Sequence, residues 1–382
     1  MRIIIFISIF FLIFGLAGYY VYIRTIQAFA GTHIDSITFL IPYTFLLFSF
    51  LIGKLVEVYS IGGISSTFIK IGSVSIGFFL YALLFVIFFD LIRLINYIIP
   101  LYPGFVTANY QKTKLIAGII TLSIISVIII AGYINAGNPK IKNLNITINK
   151  NQIGFDKLNI VAVSDIHLGT MVNKTKIKRL ISNIKQLNPD LVLIAGDIID
   201  DNIKVVKHYD LLNWFKELNP KYGVYSCMGN HEYIGRAYAD LDYFEKNGIH
   251  MLKDTTIKVD DKFYIIGRDD IEGKTFSGKK RKSLDELTKD IDFKLPVFLL
   301  DHQPYKLEKT AEFAVDLQFS GHTHNGQIWP LNYLTGLLFE EDWGYLKKKN
   351  THFYISSGFG TAVIPIRVGN NSEILNIKMT NK

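Results

Sequence analysis

The stretch LNIVAVSDIHLG, residues 158–169, decides how the rest of the chain is read. Its unbroken apolar run fits a strand buried on both faces, and Asp165 and His167 arrive where that strand has to end. The same event recurs downstream. Residues 191–195 run into Gly196-Asp197, and residues 224–228 into Gly229-Asn230-His231-Glu232. Residues 297–300 run into Asp301-His302, and residues 317–319 lead to Gly321-His322-Thr323-His324. Residues 263–266 form a further apolar run, while the charged, amphipathic stretches 174–187 and 204–218 read as helices. Strands alternating with helices predict an α/β fold, in which ligands bind beyond the carboxyl ends of the strands.

Taken singly, an Asp at a strand end is a turn former or a helix cap, and a His is a structural residue with satisfied nitrogens. Here five of the nine histidines stand at strand ends, each beside a carboxylate, an amide or another His, which structural needs do not explain. Asp165 and His167 flank one residue, so both side chains can turn toward one ion, and His322 and His324 repeat that spacing. Asp197 follows a glycine that permits close approach, which makes it the candidate for a carboxylate bridging two ions. Mixed Asp, Asn and His donors suit Mn, Fe or Zn better than Ca or Mg. Two such ions roughly 4 Å apart hold a water of near-neutral pKa and clamp a phosphoryl group for in-line displacement by the bridging hydroxide. His231, next to the expected ligand Asn230, would stand beside the ions and stabilise the transition state or protonate the leaving oxygen.

The first third is of another kind. Residues 3–23, 37–58, 74–99 and 115–134 are apolar runs free of charge through their middles, close to the ~20 residues that cross a bilayer as a helix. Tyrosines such as Tyr19, Tyr59, Tyr97 and Tyr133 stand near the ends, as interfacial belts do. Arg2 before an apolar run also fits a signal peptide, but no small-residue cleavage site stands out and three more runs follow. Asp90 and Arg93 are spaced to pair on one helix face. The expected organisation is a multi-pass transmembrane region over residues 1–136, a linker with a first strand over 137–157, and one large domain over 158–382.

A net charge of +8 does not indicate nucleic acid once it is divided. Residues 1–136 hold seven Lys and Arg against three Asp and Glu, which leaves 34 against 30 for the remainder. The runs 279–282 and 347–349 are read as solvated loops, with contact to lipid headgroups as the other reading. The single cysteine, Cys227, rules out an internal disulfide and is read as a buried strand residue.

The ordered elements Asp-x-His, Gly-Asp, Gly-Asn-His-Glu, His and Gly-His-x-His resemble those of the calcineurin-like metallophosphoesterases, over residues 158–378. Gly326, Gln327, Ile328 and Pro330 extend the resemblance to the bacterial membrane-bound branch. The resemblance implies a four-layer α/β/β/α sandwich. It implies one ion on Asp165, His167, Asp197 and His324 and a second on Asp197, Asn230, His302 and His322, with Asp197, Asn230 and His231 as the catalytic group. It also implies a phosphomonoester, phosphodiester or pyrophosphate substrate and a catalytic domain outside the cytoplasm; membrane attachment alone adds lipid-linked compounds and membrane lipid to the expected partners. The one departure is Asn325, where relatives usually carry Gly; it lies outside the ligand set. Arg268, Asp269, Asp270 and Arg367 are candidate pocket residues, with a structural role as the alternative.

Two rivals remain. A metalloprotease is disfavoured because His231-Glu232 is not followed by a second His on the same helix turn. A non-catalytic membrane sensor predicts a broken ligand set, and none of the expected donors is missing.

Overall fold

The computed structural model describes residues 2–32, 36–150 and 155–381. The chain divides into two compact units, Met1–Gly132 and Tyr133–Lys382.

The first unit is helical: α1 (Arg2–Ala28), α2 (Ser36–Tyr59), α3 (Gly63–Ile98), the short α4 (Gly104–Ala108) and α5 (Tyr110–Ala136). The four long helices cover the four apolar runs. Among the described residues α2, α3 and α5 are long and apolar enough to cross a membrane. Their apolar side chains are not hidden: only 6% of the most apolar window of α3 is buried, the reverse of a helix in a water-soluble core. The third helix extends further than the apolar run, starting at Gly63, because the Ser, Gly and Lys residues before residue 74 lower hydropathy without breaking backbone hydrogen bonds. Those small residues have a packing use. A Cβ on Gly72 would collide with the backbone of Phe50, so α2 and α3 come together through small side chains, with Ser49 and Ser73 also buried.

The described residues of the second unit form twelve strands: β1 (Lys140–Ile148), β2 (Lys157–Val163), β3 (Leu191–Ile194), β4 (Val224–Cys227), β5 (His250–Leu252), β6 (Thr255–Val259), β7 (Phe263–Gly267), β8 (Val297–Leu300), β9 (Leu317–Ser320), β10 (Gly344–Lys348), β11 (Thr351–Ile355) and β12 (Glu373–Asn381). They form two mixed six-stranded sheets, ordered β1-β12-β2-β3-β4-β5 and β10-β11-β9-β8-β7-β6. Of the stretch expected to link the two regions, residues 140–148 are β1, and residues 151–154 lie outside the described residues.

Strand alternation generates the layers. Along β2, Ile160 and Ala162 face the second sheet and join Phe263, Phe298 and Phe319 in the core between the sheets. Val161 and Val163 face the other way, onto the helix α6 (Lys174–Gln186) through Ile177, Leu180 and Ile184. The second sheet is covered on its outer side by Leu284 and Leu287. The result is the α/β/β/α sandwich that the resemblance implied. Phe298 is fully buried in the middle layer, where truncation to Ala costs about 3–5 kcal/mol. Cys227 is likewise buried at the end of β4, and burial pushes its thiol well above the usual range.

The helix expected over 204–218 is broken. The chain forms α7 (Ile203–His208), turns at Asp210 with φ 49°, and continues as a 3-10 turn, Leu212–Glu217. Asp tolerates the left-handed conformation, and the turn lets Val206, Leu211, Leu212 and Phe215 all reach the core.

Candidate active site

The parallel strands β2, β3 and β4 of one sheet and β8 and β9 of the other end along one border, and the strand-end motifs meet there. Asp165, His167, Asp197, His302 and His324 are buried; Asn230, His231 and His322 are partly exposed and form the side open to solvent.

Two clusters of donors result. Asp165, His167 and His324 form one, with His324 Nε2 3.5 Å from Asp165 Oδ1 and 3.0 Å from His167 Nε2. Asp197, His302 and His322 form the other, with His302 Nε2 3.2 Å from Asp197 Oδ2. Asn230 Oδ1 lies 3.1 Å from His302 Nε2 and 2.9 Å from His322 Nδ1, which adds it to the second cluster. Asp197 Oδ2 is also 3.9 Å from His167 Nε2, so this carboxylate faces both clusters. All seven expected ligands are therefore brought together.

The backbone is bent to achieve this. Asp165, His167, Asp197, His322 and His324 all have φ between 50° and 72°. Non-glycine residues rarely adopt that region, at a cost on the order of 1 kcal/mol or more each. Five such residues in one border mark a functional site rather than a relaxed turn. The approach of β3 and β4 also requires glycine: a Cβ on Gly229 would overlap the Asp197 carboxylate. Asn325 has φ 47° as well, which explains why Asn can replace Gly there.

Further residues orient the donors. The Glu232 carboxylate accepts from the backbone N–H of Gly229 (2.7 Å), Asp197 (2.9 Å) and Ile198 (2.8 Å), locking two strand ends together. Burial, with Asp197 nearby, pushes its carboxyl up to about 7. His302 Nδ1 donates to the Ala195 carbonyl at 2.7 Å, which turns Nε2 toward Asp197. His231 Nδ1 donates to the Asp200 carbonyl at 2.6 Å and so aims Nε2 away from that loop. The Asp200 carboxylate lies 3.5 Å from His167 Nδ1 and 3.7 Å from His231 Nδ1. Asp200 and Glu232 were not among the expected site residues, although Glu232 stands in the Gly-Asn-His-Glu element.

The candidate pocket residues turn out otherwise. Arg367 is fully buried behind His324 and donates to the carbonyls of Ser357 (2.6 Å), Gly358 (3.1 Å) and Gly360 (2.7 Å). It clasps a loop rather than reaching substrate. Arg268 pairs with Asp301 at 2.8 Å, and Arg281 pairs with the other oxygen at 2.7 Å, so Arg281 does not belong to a solvated loop. Asp269 accepts from Tyr233 Oη at 2.5 Å, and Asp270 from Gln303 Nε2 at 3.0 Å. In the other basic run, Lys348 pairs with Glu308 and Glu340.

The charge pattern suits divalent cations. Burial opposes ionisation of Asp197, but His302, His231 and His167 overcome it and hold its carboxyl well below the usual range. Burial, with His302 close by, depresses His322 to about 3, so it is a neutral acceptor at physiological pH. Burial and the neighbouring His167 likewise depress His324. Imidazoles whose ring nitrogens face one another at 3.0 Å, beside an anionic carboxylate, are the donor set that a transition metal takes.

A fold of two stacked mixed sheets, with carboxylate, amide and imidazole donors gathered at one border, defines a metal-dependent hydrolase class. Residues 158–326 match the family described as calcineurin-like phosphoesterase. An uncharacterized metallophosphoesterase of Campylobacter jejuni is 32% identical over 269 residues, covering 69% of this chain and 70% of the relative. One from Bacillus subtilis is 30% identical over 250 residues, covering 60% and 82%. A transmembrane protein with metallophosphoesterase domain from Danio rerio is 32% identical over 278 residues, covering 68% of this chain and 62% of that longer protein. The chain belongs to the calcineurin-like metallophosphoesterase family.

Proposed function

We propose that this chain is a multi-pass membrane enzyme that hydrolyses phosphoesters with two divalent ions, Mn, Fe or Zn. One ion would be held by Asp165, His167, Asp197 and His324, the other by Asp197, Asn230, His302 and His322. The observation that carries this reading is Asp197: a single carboxylate faces the imidazoles of both clusters, as a bridging ligand must. When bound, the ions supply Lewis-acid stabilisation of the phosphoryl oxygens and a water of lowered pKa. The chain's own residues do the rest. His231, partly exposed and held by the Asp200 carbonyl, contacts the substrate and passes a proton to the leaving oxygen. Asn230 fixes the entrance side between His302 and His322.

The substrate is read as lipid-linked. The helix Asn332–Leu338 has no buried residue, and Leu334, Leu337 and Leu338 are 56%, 82% and 73% exposed. Phe339, directly after it, packs against the His322 ring at 6.0 Å and against Tyr305 at 5.0 Å. An apolar surface that continues onto a ligand of the site suits a phosphoester carrying a hydrocarbon chain. The catalytic domain is proposed to lie outside the cytoplasm, with Lys112 and Lys114 on the inner side.

The test is hydrolysis by the full-length protein in neutral detergent with added Mn, on aryl phosphomonoesters, aryl phosphodiesters and long-chain alkyl phosphoesters. Hydrolysis is expected, with kcat/KM higher for the long-chain ester and that preference reduced in Leu337→Glu/Leu338→Glu. No hydrolysis of any ester by a folded protein under any metal supplement would overturn the enzyme. Equal use of short and long esters would overturn only the lipid-linked substrate.

A further inference from the structure

The helical unit contains a cavity of about 270 Å³ between α1, α3 and α5. Its walls are apolar, with Phe85, Phe89, Ala117 and Ile125 among the lining residues. One end is charged. The Asp90 carboxylate accepts from Arg24 Nε (2.8 Å) and Nη2 (2.6 Å), from Arg93 Nη1 (2.6 Å) and from Tyr20 Oη (2.5 Å). Lys114 lines the same end and donates to the Gln27 carbonyl at 3.0 Å.

The charges do not balance. Two guanidinium groups and one ammonium face a single carboxylate, and the cavity lining contains no other Asp or Glu. Arg24 lies four residues before the end of α1, Arg93 five before the end of α3, and Lys114 four after the start of α5. All three cations therefore stand at the same end of three antiparallel or parallel neighbours, at the level where a spanning helix meets headgroups. The two guanidinium groups are each 31% exposed, so an anion seated at the mouth of the chamber can reach both. A guanidinium fork matches phosphate oxygens, and the apolar chamber below has no polar ligand to satisfy.

We propose that this cavity binds one phosphate-bearing lipid, its phosphate on Arg24, Arg93 and Lys114 and an acyl chain along the wall lined by Phe85 and Ile125. Asp90 holds the two arginines in position and tempers their affinity. The site rests on the helices spanning a bilayer but not on the hydrolase reading, since every residue in it belongs to the helical unit.

The experiment is native mass spectrometry of the full-length protein, purified and delipidated in neutral detergent. The probes are dioleoyl phosphatidic acid, dioleoylglycerol, which lacks the phosphate, and glycerol 3-phosphate, which lacks the chains. One phosphatidic acid per chain should be retained, dioleoylglycerol should not, and glycerol 3-phosphate should not displace the lipid at equal concentration. Arg93→Gln should weaken retention roughly tenfold or more. Asp90→Asn should tighten it, which a purely structural ion cluster would not do. Ala117→Phe leaves every charge in place, fills the chamber and should abolish binding, so the test survives misfolding of the charge variants. Retention unchanged in both Arg93→Gln and Ala117→Phe, or equal retention of dioleoylglycerol, would overturn the proposal. Displacement by equimolar glycerol 3-phosphate would overturn it in favour of a free-anion site.

Discussion

The helical unit and the sandwich each gather ionisable side chains in one place, and they do so in opposite ways. In the helical unit, long Arg side chains reach out from relaxed helices and converge on Asp90, cation to anion. In the sandwich, short side chains from five strand ends bring imidazole against imidazole, as with His167 Nε2 and His324 Nε2 at 3.0 Å, on a backbone forced to positive φ. The first arrangement sets one carboxylate against its cations and neutralises only part of their charge. The second is held by surrounding residues, Glu232 on the backbone N–H groups and Arg367 on the carbonyls, and makes chemical sense as a receptor for cations. Convergence of like donors against strain is thus a stronger mark of a catalytic site than density of charge.

That contrast can be broken by substitution. His231→Ala should lower kcat by about 100-fold to 10,000-fold with bound metal retained, because the residue acts on substrate rather than on the ions. Asp200→Asn should have a smaller effect, about 10-fold to 100-fold on kcat, with a changed pH profile, since it keeps the backbone carbonyl that holds His231 and removes only the carboxylate charge beside His167 and His231. Arg367→Lys should cost about 3 kcal/mol in denaturant unfolding, because an ammonium cannot reproduce the fork that serves three carbonyls.

The smallest expected effect is at Lys176, on the outer helix α6. Burial, with Arg367 and Arg179 nearby, lowers its ammonium to about 8. A lysine with a depressed folded pKa binds fewer protons when folded than when unfolded, so wild-type stability rises with pH from about 8 to the unfolded value near 10.5. Lys176→Met should therefore be more stable by no more than about 1 kcal/mol at pH 7, an advantage that shrinks as pH climbs through that window. An advantage that is constant from pH 7 to 10.5 would show that Lys176 carries no such cost.

Much of this was legible because the decisive signals are local. An apolar run ending in Asp165-Ile-His167 declares both a strand and what stands at its end, and a ~20-residue apolar run declares a long apolar helix. What was not legible depends on distant partners. Lys140 pairs with Glu373 across the chain to make β1 and β12 neighbours, and nothing near either residue announces it. The break at Asp210 follows from where the core must receive Leu211 and Leu212, which amphipathic spacing alone does not reveal. Sequence left Arg367 open between a pocket role and a structural one. Its burial and its carbonyl partners appear only once the loop 357–360 is folded around it.

The central claim is tested most directly by the metal content of the full-length protein, purified with Mn, Fe or Zn supplied and compared with Asp197→Ala. The account predicts about two transition-metal ions per chain in the wild type, and loss of metal together with phosphoesterase activity when the shared carboxylate is removed. A folded wild-type protein that retains no transition metal, or an Asp197→Ala protein that keeps both ions and full activity, would contradict it.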